Sequence, residues 1–186
     1  MSRLHADALA TLRGWAAPTT DQALLRDRYV GLLEARADAM TRDCLPDHLT
    51  ASTMVFDESA TRVLLTHHAK ARRWFQFGGH PEPEDTTVAG AALREAVEES
   101  GLQRSDLSLD PVPVELDAHL VPFCAPGTAV HHFDVMFAAT ARTGAHHAVS
   151  EESLDVAWWP IDDLPNPDLA SRIAPALARL GHTPSS

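Results

Sequence analysis

Apolar residues at Leu4, Ala8, Leu12 and Trp15 recur three or four positions apart, which predicts a short amphipathic helix from Arg3 that ends near Gly14. After a break at Ala17-Pro18, Thr20 or Asp21 can cap a second helix with a stripe of Leu25, Tyr29, Leu32, Leu33 and Met40, reaching about Thr41. Residues 1–45 therefore read as an N-terminal helical extension in which no chemistry is visible. Its stripes pack on the main domain, residues 46–186, or on a second copy of it, which would make a homodimer.

Past Pro46 the period shortens to that of strands. His48 to Phe56 and Arg62 to His68 read as a hairpin about the turn Asp57-Glu58-Ser59-Ala60, and Trp74 to Phe77 as a short extended piece leading to Gly78-Gly79. Pro81 and Pro83 keep the next loop out of helix, and Asp85, Thr86 or Thr87 can cap the helix that follows. That helix has an apolar face of Ala89, Leu93, Ala96 and Val97 and a stop at Gly101-Leu102.

Val112 to Leu116 and Ala118 to Phe123 read as strands at an edge, interrupted by prolines, whereas Val130 to Ala141 has the apolar run of a central strand. Its carboxylate, Asp134, fits a paired structural role better than one facing a site. A loop from Ala145 to Leu154, a strand Asp155 to Pro160, a turn through Asp162-Asp163 and a helix Asp168 to Leu180 complete the pattern. Helices and hairpins alternate irregularly, so the expected architecture is α+β within the α/β class: a mixed sheet between helices.

Composition narrows the function. With 26 acidic against 15 Lys and Arg residues the net charge is −11, which argues against binding a nucleic-acid polymer. No apolar run nears the ~20 residues that cross a bilayer, so a soluble, cytoplasmic protein without a membrane partner is expected. Cys44 and Cys124 form no metal-binding pattern, and the histidine pairs His67-His68, His131-His132 and His146-His147 read as surface or core-edge residues, because neighbours on a strand face opposite ways. Trp74, Trp158 and Trp159 suit packing better than base stacking. The dense basic cluster Lys70, Arg72 and Arg73 is either a solvated turn or a contact for phosphate, with Arg72 and Arg73 the candidate substrate-binding residues.

The chemistry concentrates between Gly78 and Leu102. Glu95, Glu98 and Glu99 stand at i, i+3 and i+4, within roughly 100° of arc on a helix. Like charges so placed repel, and acids in a last turn oppose the helix dipole, so a cation is expected among them. Oxygen ligands without His or Cys select Mg²⁺ or Mn²⁺, and magnesium suggests a phosphate-bearing substrate.

This stretch resembles the signature box of the Nudix hydrolases, the MutT-type pyrophosphohydrolases. That box reads Gly, five residues, Glu, seven residues, then Arg-Glu-aliphatic-x-Glu-Glu-x-Gly-aliphatic. Arg94 through Leu102 match its second half, with Ala96 at the aliphatic position. From Gly79 the first half departs: Asp85 stands where the box has Glu, and eight residues rather than seven precede Arg94. The strands around the box and the ending Trp158-Trp159-Pro160-Ile161-Asp162-Asp163-Leu164-Pro165 extend the resemblance over about Leu49 to Leu164.

The resemblance implies a Nudix-type α/β/α sandwich and a role for each residue. Glu98 and Glu99 would be the main metal ligands, Glu95 a ligand or proton acceptor for the attacking water, the Gly79 carbonyl a further ligand, and Arg94 the residue that orients the carboxylates. Glu152, or Glu151 beside it, resembles a downstream acid that binds a second metal or acts as base. The implied reaction is hydrolysis of the diphosphate linkage in a nucleoside diphosphate joined to another group. A non-hydrolytic nucleotide-binding or regulatory domain of the same fold is the alternative, and a diphosphate-ester isomerase a third reading.

Overall fold

The computed structural model describes residues 2–125, 128–149 and 153–182. Helices α1 (Arg3–Gly14) and α2 (Thr20–Ala35) precede strands β1 (Asp47–Asp57), β2 (Arg62–His68), β3 (Trp74–Phe75) and β4 (Phe77–Gly79). Helix α3 (Val88–Ser100) follows, then β5 (Leu107–Ala125), β6 (Thr128–Ala141), β7 (Ser153–Pro160) and α4 (Ala170–Arg179). The seven strands form one mixed sheet with the path β3-β2-β1-β6-β5, to which β4 adds on β1 and β7 on β2. The β1–β6 pair is parallel and the others are antiparallel, so the mixed sheet between helices expected from the pattern is observed.

Side chains alternate faces along each strand, and the two faces carry different helices. Leu49, Ala51 and Val55 of β1 and Phe133, Val135, Phe137 and Ala139 of β6 pack toward α1, α2 and α3. Met54 and Phe56 with Met136 and Ala138 face α4, through Ile173, Ala176 and Leu177. Completely burying a Leu or Phe contributes about 1.5–3 kcal/mol, and Leu12, Leu33, Phe56 and Phe137 are all within 1% of full burial.

Two boundaries differ from those the pattern predicts. Helix α2 stops at Ala35, and Met40 is buried beyond its end, in a turn where Arg36 holds Asp38 at 2.9 Å and the Leu45 carbonyl at 3.2 Å. The proline-broken segments around Val112 and Ala118 belong to one long edge strand, β5, that keeps pairing with β6 by shifting register between Asp110 and Glu115 and again between Val121 and Ala125. Bulges let the prolines sit where no ladder donor is needed.

The N-terminal helices are tied to the sheet by polar contacts as well as by their stripes. Gln22 pairs with both backbone groups of Leu116, at 2.9 and 2.8 Å, and so imitates a neighbouring strand at the edge that β5 presents. Trp15 donates to the Pro113 carbonyl at 2.7 Å, and Tyr29, fully buried and stacked on Phe133, donates to the Asp134 carbonyl at 2.9 Å. Asp7 of α1 accepts from the Val88 amide at 2.8 Å, placing a carboxylate at the N-terminus of α3 beside its own cap, Thr87, which accepts from Gly90 at 3.0 Å. An anion there satisfies a free amide and complements the helix dipole. We predict that Asp7→Ala lowers unfolding stability by about 1 kcal/mol in urea titrations; an unchanged midpoint would show that α1 does not support α3.

Candidate active site

Helix α3 is held at a set depth against the sheet. Thr53 of β1 donates its hydroxyl to the Ala92 carbonyl at 2.9 Å, and Ala91, Ala92 and Ala96 are fully buried beneath it. The helix ends at Gly101, whose φ of +68° is the left-handed region open to glycine, and a side chain there would meet Ala148 at 2.8 Å.

The three glutamates lie at graded depths. Glu98 is exposed, Glu95 half-buried, and Glu99 is 8% exposed, with its Oε2 accepting the Gly78 amide at 3.0 Å. The roughly 100° of helical arc that the three share is wide enough to run from solvent into the sheet contact. Gly79 explains why the box begins with glycine. A Cβ there would fall 2.7 Å from the Glu95 carboxylate carbon, so backbone and carboxylate approach as closely as they do only without a side chain.

Arg94 connects the set. Its Nη1 donates to Glu95 Oε1 at 3.1 Å and Glu98 Oε2 at 2.9 Å, while Nη2 donates to the His80 carbonyl and to Asp85 Oδ2, both at 3.0 Å. Partial burial opposes the guanidinium charge, but the Asp85 hydrogen bonds and the charges of Glu95, Asp85 and Glu98 outweigh it and raise the Arg94 pKa above its usual value. Asp85, which stands where the box has Glu, is thus bonded to Arg94. Its side chain also accepts the Glu82 amide at 2.8 Å. The cap itself is Thr87.

The other candidates are placed as follows. Asp134 is buried and accepts hydroxyls from Thr50, at 3.0 Å, and Ser52, the paired structural role expected for it. Burial raises its pKa, and the two hydroxyls counter the shift. Arg73 donates to Asn166 at 2.8 Å and Asp168 at 2.7 Å, while Arg72 is exposed in the β2–β3 turn with φ +56°. Trp74 packs edge-on to Trp159 with centroids 5.3 Å apart, as expected of packing residues. Glu151 and Glu152 lie outside the described residues.

One group went unnoticed in the sequence: His48, His80 and His132, whose rings meet at centroid distances of 4.8 to 5.0 Å. Burial, then the charge of Arg42, lowers the His80 pKa to about 3; burial, then His80, lowers that of His132 to about 3, so both are neutral at pH 7. Adjacent histidines do diverge, as His131 turns to Asp47 at 3.0 Å, yet one member of a pair can still join histidines from other strands.

Among the described residues no helix is long and apolar enough to cross a membrane. The model of the NUDIX domain matches residues 46–180. None of the curated proteins matches the chain. Among solved structures, the Ap4A hydrolase of C. elegans in a binary complex is similar at 17% identity and TM-score 0.57, over 72% of this chain and 97% of that one. A MutT protein from Methanosarcina mazei Go1 is similar at 13% identity and TM-score 0.54, over 69% and 91%. A NUDIX-family hydrolase from Clostridium perfringens is similar at 23% identity and TM-score 0.50, over 72% and 96%. At such identities the structures show a shared fold, and the family follows from the domain match together with the box on α3: the chain belongs to the Nudix hydrolases.

Proposed function

We propose that this protein hydrolyses the diphosphate linkage of a nucleoside diphosphate joined to another group, using Mg²⁺ or Mn²⁺. The observation that carries the reading is the approach of Glu99 to Gly78 and of Glu95 to Gly79, with Arg94 bonded to Glu95 and to the exposed Glu98 beside them. These donors are oxygens only, which fits a hard divalent cation, and the Gly79 carbonyl is the further oxygen ligand that the resemblance implies. When bound, such an ion would offset phosphate charge and acidify a water.

The protein's own residues divide the remaining work. Glu98 and Glu99 serve as the principal metal ligands, Glu99 with its orientation set by the Gly78 amide. Glu95, pinned by Arg94 and half shielded from solvent, serves as a ligand or as acceptor of the water's proton. Arg94 keeps Glu95 and Glu98 from separating, and Asp85 in turn holds Arg94. Glu152, or Glu151, remains the candidate for a downstream base. Arg72 is the more available phosphate contact of the basic turn, since Arg73 already pairs with Asp168. A surplus of 11 negative charges makes local neutralisation necessary before an anionic substrate can dwell here.

The reading is tested by measuring product release from dinucleoside polyphosphates, ADP-ribose, nucleotide sugars and nucleoside triphosphates with Mg²⁺ or Mn²⁺. At least one class is expected to be split, with kcat reduced on the order of 100-fold or more in Glu98→Gln and Glu99→Gln. Equally slow release by wild type and variants on every compound would point to the non-hydrolytic domain, and rearrangement without cleavage to an isomerase. Gly79→Ala is a steric probe of the same site. The added methyl should cost about 1–3 kcal/mol in strain or displace the Glu95 carboxylate, lowering kcat at least ~10-fold; wild-type kcat would show that the close approach is dispensable.

A further inference from the structure

The face of the sheet that packs on α4 through Met54 and Phe56 continues along β1 through Ser52 and Thr50 to His48. In the parallel pair, His48 is opposite His132 of β6, and His132 is in turn opposite His119 of β5. Three neighbouring strands thus present imidazoles on one face at one level. His80, immediately after β4, joins from the other side, its Nε2 3.0 Å from His48 Nε2. One ring nitrogen from each of His48, His80 and His132 lies within 4.8 Å of the other two.

We propose that His48, His80 and His132 form a site for a zinc-type transition-metal ion, separate from the carboxylates of α3. Three imidazoles and no carboxylate suit zinc and disfavour magnesium, the reverse of the glutamate set. With Zn–N bonds of about 2.0–2.1 Å, two nitrogens of a tetrahedral site stand ~3.3 Å apart, so the His48–His80 spacing needs only a slight opening. Rotation of the half-buried His132 ring closes the wider gap.

The surroundings of His48 are those of a ligand with a fixed tautomer. Its Nδ1 lies 3.0 Å from the Cys44 carbonyl, an acceptor only, so Nδ1 carries the ring proton and Nε2 directs a lone pair into the cluster. His80 has the opposite constraint. Arg42 Nη2, which can only donate, sits 3.1 Å from His80 Nδ1, so the His80 proton is on Nε2 and is donated to His48. A metal between the two Nε2 atoms replaces that hydrogen; the His80 proton moves to Nδ1, with no net release, and the exposed Arg42 turns away. Arg42 therefore opposes binding both by its charge and by the tautomer it selects. His119 stays outside the set, held by Asp117 at 3.1 Å. Because three protein ligands leave a fourth position, water or a substrate oxygen completes the coordination. His80 also follows Gly79 directly and lends its carbonyl to Arg94, so occupancy would brace the start of the signature loop.

The test is equilibrium dialysis of the full chain against Zn²⁺ with excess Mg²⁺ present, alongside the visible spectrum of Co²⁺ as a zinc substitute. One zinc per chain is expected in wild type and in the Glu98→Gln, Glu99→Gln double variant. Affinity should fall at least ~10-fold in His80→Gln and His132→Gln, which replace half-buried rings, and should rise several-fold in Arg42→Ala. If either histidine variant misfolds by circular dichroism, the Arg42→Ala shift and the absorption of a nitrogen-ligated, low-coordinate Co²⁺ in wild type decide. No stoichiometric zinc at micromolar concentration, or zinc that Mg²⁺ displaces and that only the glutamate variants lose, overturns the proposal and leaves the histidines as a hydrogen-bonded brace.

Discussion

Four acids at one end of this molecule share a single guanidinium, and the rest of the site depends on that sharing. Arg94 touches Asp85, Glu95 and Glu98 within 3.1 Å and approaches Glu82 at 3.9 Å. Without it, like charges on one helical turn would repel by a few tenths of a kcal/mol per exposed pair, and more where water is excluded. Glu99 is relieved differently: its charge is taken by the Gly78 amide, a charge-assisted hydrogen bond at the boundary of the core. The helix thus carries its carboxylates at close quarters in a folded, charge-compensated form, ready to exchange part of that compensation for a cation.

Such a constellation works only if helix and loop keep a constant separation, and the surrounding elements supply it. β4 pairs with β1 at Gly78 and Gly79, β1 reaches α3 through Thr53, and α1 reaches the first amide of α3 through Asp7. The glycines let strand and helix meet at distances that side chains would prevent. On the opposite face, Arg172 of α4 holds Asp117 at 2.7 Å, and Asp117, hydrogen-bonded first by His119 and then by Arg172, has its pKa lowered to about 2. The sheet end is therefore fixed from both sides by charges as well as by packing.

What could be read from the chain follows the range of the forces involved. The glutamate spacing, the glycine stop and the apolar stripes are local patterns, so α3, the hairpin and the central strand β6 were all legible. Cross-strand neighbours were not. His48 and His132 are 84 positions apart, and only the parallel register of β1 on β6 makes them partners. Asp7 carries no signal of its own in the sequence, because its partner, the Val88 amide, is a backbone group. Asp85 was visible as a departure from the box, but its bonds to Arg94 are seen only in the folded chain. The boundary of α2 was misplaced because a buried Met40 continues the helical spacing in a segment that Arg36 and Asp38 hold as a turn.

If Arg94 stands in for part of a cation's charge, then removing it should make the fold depend on one. Thermal melts of wild type and Arg94→Met, with and without Mg²⁺, measure this directly, since methionine keeps the apolar stem and deletes the charge. The account predicts that the variant melts several degrees lower without divalent ion and that Mg²⁺ raises its Tm by clearly more than it raises that of wild type. Equal Mg²⁺ shifts in the two proteins would contradict it, showing that the carboxylates neither need Arg94 for balance nor gather a cation.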